Sequence, residues 1–364
     1  MKAGRFIVDT HVHAQRHAAG KTVRDSVAAA NEGNKGVKVN PWRQLGAHMP
    51  AMETYDNSAR LLWDMGNYDI DMCVLLPAFG MSDAINAELV ERHPDRFVAE
   101  CGATEYRKAC IAGEVEWSIK GACEALDELL ATGTYRGVGE AAPYMPILPN
   151  GADPREGMVS SDEAVRNMMA MCDVVKRYDG AVFRTHSGCG MGYELGYHFG
   201  SLGPTNYNIL LVHDLATAYP EVPIVINHGG IQAHWSEIFY DQCLQVAASH
   251  DNVYLETGLW WSELYDKAIA DPNIGPEKLI FGTDWGASIG CHTQPFGKPS
   301  SYFVQDRRSG PIRHQADYWG WALRELTRVR MGQDDMNLIL GGNAARLYKL
   351  QTPFSRIFRP TYLD

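Results

Sequence analysis

Phe6-Ile7-Val8-Asp9-Thr10-His11-Val12-His13 is an apolar run that closes on two histidines one residue apart. Side chains two apart on a strand share a face, so a buried strand ending in His-x-His aims both imidazoles at one point. Two neutral imidazoles converging at a strand end make half of a transition-metal site, and the chain must then supply the remaining ligands from elsewhere. Two histidines satisfied by hydrogen bonds in a core would show the same spacing. What separates the two readings is whether other strand ends carry ligand-type residues too.

Outward from this stretch, strand-like apolar runs alternate with helix-period segments, eight of each. The strand candidates are Arg5 to His13, Asp71 to Ala78, Phe97 to Thr104, Arg136 to Ala142, Ala181 to Gly188, Pro223 to Gly230, Val253 to Leu259 and Lys278 to Trp285. Between them, segments such as Ser82 to His93, Ser161 to Tyr178 and His234 to His250 repeat apolar residues at three and four. Ser160-Ser161-Asp162-Glu163 is placed to cap the second of these. Eight βα units in one chain without a Pro/Gly/Ser-rich linker predict a single-domain α/β protein, a (β/α)8 TIM barrel with long strand-end loops. An open doubly wound sheet is the competing arrangement, but no G-x-G-x-x-G follows the first strand.

Barrel chemistry sits where strands end. Strand one ends in His11 and His13, strand four in Gly139-Glu140, strand five in Thr185-His186, strand six in Asn227-His228-Gly229-Gly230, and strand eight in Thr283-Asp284-Trp285. A strand-end carboxylate taken singly is more often a helix cap or a loop anchor. Four histidines and two carboxylates gathered at five strand ends instead point to a metal centre.

Composition narrows the partners. The chain has 364 residues, 45% of them hydrophobic, and a net charge of -11. The acidic balance argues against nucleic acid, which needs a basic excess. No window supplies the ~18 apolar residues of a membrane span. The first residues run straight into a strand without a signal-peptide pattern, which predicts a cytoplasmic protein, and eight cysteines without any C-x-x-C predict reduced core thiols. Segments such as Tyr318-Trp319-Gly320-Trp321 suggest a homo- or hetero-oligomer.

His-x-His after strand one, His186, His228-Gly229-Gly230, Gly282-Thr283-Asp284 and the closing Gly342-Asn343-Ala344-Ala345-Arg346-Leu347-Tyr348 together resemble the amidohydrolase superfamily. More narrowly, they resemble its amidohydrolase-related branch, which includes the aminocarboxymuconate semialdehyde and resorcylate decarboxylases. The resemblance covers nearly the whole chain. It implies that His11, His13, His186 and Asp284 hold a divalent metal, with His228 as a second-metal ligand or an acid/base beside it. Reaction type does not follow, because the fold hosts hydrolysis, decarboxylation and hydration alike.

Glu140 departs from the decarboxylase pattern, which places no ligand at strand four. A carboxylate there is expected to bridge two ions, with His11, His13, Glu140 and Asp284 around one and Glu140, His186 and His228 around the other, roughly 3.5 to 4 Å apart. The competing expectation pairs Glu140 with Arg184, which points inward two residues before His186. The glycines beside Glu140 are expected to leave space for ions or substrate.

Two ions of Zn, Fe or Mn would activate water against a small carboxylate-bearing substrate, with His228 or Asp284 moving the proton. Two divalent ions, two carboxylates and one hydroxide leave a net positive centre, and Arg16, Arg43 or Arg184 could grip an anionic substrate. Trp260, Trp261 and Trp285 could line an apolar pocket. Three long connections, 14–56, 188–207 and 286–314, are expected to wall it. Three other readings stand beside this one. The ligand set also resembles oxygen-dependent Fe or Mn monooxygenases of this fold, including the two-subunit hydroxylase of 2-aminoisobutyrate. A mononuclear non-oxidative decarboxylase is the second, and a non-catalytic partner subunit the third.

Overall fold

Eight parallel strands follow one another around a single sheet in chain order: β1 (Val8–Val12), β2 (Met72–Leu75), β3 (Phe97–Cys101), β4 (Tyr135–Val138), β5 (Val182–Thr185), β6 (Ile224–Ile226), β7 (Val253–Glu256) and β8 (Leu279–Ile280). At the seam, the Thr10 N–H donates to the Phe281 carbonyl at 3.0 Å and Val12 bridges Trp285 in parallel, so β8 meets β1 and the sheet closes. This is the (β/α)8 barrel expected from the sequence. The computed structural model describes residues 4–14, 16–17, 55–56, 58–77, 82–140, 144–149, 159–187, 209–231, 237–258, 260–285 and 318–351. Most of the three long connections expected to wall the pocket lies outside the described residues.

Helices α1 (Ser58–Tyr68), α2 (Asp83–Arg92), α3 (Thr104–Ala112), α4 (Ile119–Ala131), α5 (Ser161–Val175), α6 (Val212–Ala218), α7 (Glu237–Ser249), α8 (Ser262–Ala270) and α9 (Tyr318–Arg328) alternate with the strands. Local chemistry sets their starts. The Ser82 hydroxyl accepts from the Ile85 N–H and the Ser160 hydroxyl from the Glu163 N–H, each at 3.2 Å, which satisfies donors left orphaned in a first turn. The three helices expected from periodicity correspond to α2, α5 and α7.

Register defines two cores. Val8, Val74, Val182, Val225 and Ile280 form an inner cluster, whereas Cys73, Leu75, Phe183, Ile224, Ile226 and Leu255 face the helices. Short helices α10 (Gln333–Asn337) and α11 (Asn343–Tyr348) follow α9. Ala344, Leu347 and Tyr348 of α11 pack onto the inner cluster, and Asn343 Nδ2 donates to the carbonyls of Pro276 and Leu279 at 2.8 Å. The closing motif noted in the sequence is therefore a plug for the barrel interior.

Two strands leave simple alternation where the site begins. Val8 packs in the inner cluster, so strict alternation would turn Thr10 inward and His11 out. The β1–β2 register instead shifts between Asp9 and Val12, and His11 ends on the inside. The strand expected over Pro223 to Gly230 keeps only Ile224–Ile226 in the ladder, because His228 and Gly229 adopt positive φ values of 58° and 49° and turn the chain out of it.

Candidate metal centre

His11 and His13 converge as their spacing requires, with their Nε2 atoms 3.1 Å apart. Each ring is held from behind. His11 Nδ1 pairs with Glu256 Oε2 at 2.8 Å and His13 Nδ1 with the Leu76 carbonyl at 3.0 Å. Acceptors at both Nδ1 atoms place the ring protons there and leave the two Nε2 lone pairs facing the same space.

Glu140 lies two residues beyond β4 and presents one oxygen to each of two histidine pairs. Its Oε2 is 3.2 Å from His11 Nε2 and 3.1 Å from His13 Nε2, while its Oε1 is 3.4 Å from His186 Nε2 and 3.7 Å from His228 Nε2. Asp284 Oδ1 completes the first group at 3.4 Å from His11 and 3.3 Å from His13. An ion held tetrahedrally by N and O donors at about 2.0 to 2.1 Å needs those donors about 3.3 Å apart. The five measured separations among His11, His13, Glu140 and Asp284 span 3.1 to 3.4 Å, so this donor set fits such an ion. Three overlapping groups are close enough to hold a metal: His11 with His13 and Glu140, His11 with His228 and Asp284, and Glu140 with His186 and His228. All six ligand candidates read from the strand ends therefore meet in one place.

The electrostatics mark the same demand for a cation. Burial pushes the His11 ring toward neutrality, but Glu140, Glu256 and Asp284 outweigh it and hold its pKa well above the usual imidazole value. Burial likewise opposes the Glu140 carboxylate, yet His11, His13 and His228 keep its pKa well below the usual range. Asp284 is lowered for similar reasons, against its own burial. Glu140, Glu256 and Asp284 thus surround His11 with a negative field of the kind a divalent cation neutralises.

Backbone conformation is unusual at two of these residues. His228 and Asp284 have φ of 58° and 59°, a region that non-glycine residues rarely occupy and that clusters at functional sites. Gly229, at φ 49°, allows the Trp260 indole to lie where a Cβ would stand, and Trp260 Nε1 donates to the His228 carbonyl at 2.8 Å. Trp260 is thus a core prop for the His228 turn, not a pocket wall.

Several expectations are corrected. Arg184 does not pair with Glu140. Its Nε donates to both Glu100 oxygens at 3.2 and 3.1 Å, Nη1 to Asn227 Oδ1 at 2.7 Å and Nη2 to the Tyr348 hydroxyl. Paired in register with Val225 on the inner face and fully buried, it cannot grip a substrate. The room beside Gly137 and Gly139 is not for ions or substrate either. A Cβ at Gly137 would overlap the Val182 backbone, and one at Gly139 would overlap Arg184 and Glu100. Trp285 is buried and stacks on Trp319 with centroids 6.0 Å apart, so it packs where an apolar pocket lining was expected. Arg43 lies outside the described residues, and nothing is described of the Arg16 side chain.

Sequence reading missed Glu256 and Asp9. Glu256 is the last residue of β7, a strand-end carboxylate of the kind that singled out Glu140 and Asp284, so the signal was present. Asp9 accepts from the His11 N–H at 2.9 Å, from the Thr283 N–H at 3.1 Å, and from the Thr283 hydroxyl and Trp319 indole, which ties β1 to the end of β8. Burial pushes its pKa up to about 6 against those hydrogen bonds.

A protein-family model described as amidohydrolase matches residues 8–350. The chain belongs to the amidohydrolase family. It is accordingly a metal-dependent enzyme of hydrolase type, and the cluster at the strand ends gathers side chains that could hold a metal ion. No curated protein sequence matches the chain. Among solved structures, an amidohydrolase from Burkholderia multivorans with bound Zn is 16% identical, with 95% of this chain and 100% of that one covered at a TM-score of 0.52. A probable 2-pyrone-4,6-dicarboxylic acid hydrolase from Acinetobacter baumannii, solved with citric acid, is 12% identical, with 94% and 99% covered at a TM-score of 0.50. At these identities the likeness extends to the barrel fold. Among the described residues, no helix is long and apolar enough to cross a membrane.

Proposed function

We propose that this amidohydrolase family member is a single-domain, dinuclear metal-dependent hydrolase acting on a small carboxylate-bearing substrate. The observation that carries the reading is the two-sided placement of Glu140, one oxygen toward His11 and His13 and the other toward His186 and His228. His11, His13, Glu140 and Asp284 would hold one ion, and Glu140, His186 and His228 the other. Bound divalent ions supply Lewis acidity, which makes water nucleophilic near neutral pH and polarises the bond it attacks.

The chain's own residues do the rest. Glu256 and the Leu76 carbonyl keep His11 and His13 in one tautomer, so their Nε2 atoms stay unprotonated toward the centre. Asp284 Oδ1 lies within 3.4 Å of both rings and is placed to take the proton released from water. His228 reaches the cluster through Nε2 and offers a second place to hold that proton. Its buried Nδ1 has no hydrogen-bond partner among the described residues.

The substrate class rests on charge. Two divalent ions outweigh Glu140 and Asp284, so the centre attracts an anion. The Acinetobacter baumannii protein of the same fold was solved with a carboxylate, citric acid. The proposal further places the enzyme in the cytoplasm without a nucleic-acid partner; Trp319 and Trp321, from the segment that suggested an oligomer, are buried in the core, so that segment does not support an interface. A second reading is supported by the mixed imidazole and carboxylate donor set, which suits Fe or Mn as well as Zn and would then serve oxygen-dependent hydroxylation.

Metal analysis of protein purified without added metal tests both. About two equivalents are expected in the parent, and Glu140→Gln should retain about one while activity falls at least about a hundredfold, because an amide nitrogen cannot coordinate. Unchanged metal content in Glu140→Gln would overturn the bridging role, and a parent with one equivalent would favour decarboxylation at a single ion. The elements found separate hydrolysis from oxygenation.

A further inference from the structure

Glu256 touches both halves of the ligand cluster without joining either. One oxygen, Oε2, accepts from His11 Nδ1 and from the backbone N–H of His228, each at 2.8 Å. The other, Oε1, accepts from the Gly258 N–H. Three donors thus converge on one fully buried carboxylate. Each oxygen faces a backbone N–H, His228 at Oε2 and Gly258 at Oε1, so an amide could not replace the carboxylate without leaving an N–H facing an N–H.

The surroundings are shaped to admit this group. Glu256 pairs in register with Ile280 on the inner face of the barrel, directly beneath the cluster. A Cβ at Gly282, two residues beyond β8, or at Gly258, would overlap the Glu256 carboxylate. Glycine at these two positions leaves room for the carboxylate to lie flat between β7 and β8. Its burial is offset by the hydrogen bonds it accepts and by the field of the Arg184 guanidinium deeper in the barrel.

Building on the metal-site reading, we infer that Glu256 is the positioning residue that holds the two ligand groups in register, fixing the His11 ring and the His228 turn with one carboxylate oxygen. His11 groups with His13 and Glu140, His228 groups with His186 and Glu140, and the two rings also share a group with Asp284. A displacement of Glu256 therefore moves a ligand on each side at once. His228 carries a positive φ; Trp260 and the Ile231 N–H hold its carbonyl, and Glu256 is the group that holds its N–H, which ties the turn to the same carboxylate oxygen as the His11 ring.

The test titrates metal-stripped protein with Zn2+ against a chromophoric chelator, which reads affinity and stoichiometry without reference to turnover. Glu256→Gln should keep the parent stoichiometry while its affinity falls about tenfold to a hundredfold, the scale for losing a partner that orients a ligand. Glu256→Asp, which keeps the charge, should recover part of that loss. If Glu256→Gln melts at a lower temperature but binds Zn2+ as tightly as the parent, Glu256 is only a structural anchor and the inference is overturned. Failure of the parent itself to bind Zn2+, Fe2+ or Mn2+ would overturn the metal reading, a different result from parent-like binding in the variant. Should neither variant fold, a 15N–1H correlation spectrum of the Zn2+-loaded parent labelled at histidine reads the tautomer directly. A proton on His11 Nδ1 supports the inference, and a proton on Nε2 overturns it.

Discussion

Arg184→Met removes a buried cation while keeping an unbranched chain through the barrel interior. In the parent, the guanidinium pairs with Glu100 at 3.1 Å and also serves Asn227 and Tyr348, with neither Arg184 nor Glu100 exposed. Opposite unit charges at that distance in a medium of effective dielectric about 20 attract by about 5 kcal/mol. Losing one member of a buried pair costs about 3 to 5 kcal/mol, because the other is left uncompensated. An unfolding entropy of about 2.1 cal/mol/K per residue amounts to about 0.8 kcal/mol/K over 364 residues, so about 5 kcal/mol lowers the melting temperature by about 6 °C. Scanning calorimetry reads that shift, and the double variant Arg184→Met, Glu100→Gln should recover most of it, since no charge is then stranded. Metal content should match the parent, because Glu140 is not the partner of Arg184. A variant melting within about 1 °C of the parent would refute the buried-pair reasoning.

His11→Ala and His13→Ala should each lose most bound metal and activity while the far-ultraviolet circular dichroism stays that of a folded barrel; full metal content in either would make that ring an ordinary core residue. Asp284→Asn isolates chemistry from backbone, because Asn tolerates the positive φ that Asp284 adopts. Turnover should fall by at least about a hundredfold as the anionic ligand and proton acceptor are lost, and parent-like turnover would reduce Asp284 to a loop anchor.

The barrel and the six ligand candidates were legible in the sequence because both depend on local order. Strand and helix periods repeat along the chain, and a barrel presents the residues that end its strands on one rim. His11, His13, Glu140, His186, His228 and Asp284 needed no knowledge of partners to be chosen. Partners are what the sequence leaves open, since a buried charge meets whichever group the fold brings near. Arg184 precedes His186 by two residues and was matched to Glu140, yet strand register delivers it to Glu100 of β3 and Tyr348 of α11, 84 and 164 residues away. Glu256 carried the strand-end signal, but its service to two ligand groups depends on Gly282 beyond β8 and Gly258 in its own loop, and no local pattern ties Gly282 to it. Even the inward turn of His11 rests on a register shift in β1, set by hydrogen bonds to both neighbouring strands. Local pattern thus determined which side chains reach the rim, and long-range packing decided which cation or donor each buried carboxylate meets, because only the closed sheet brings residues hundreds apart within 3 Å.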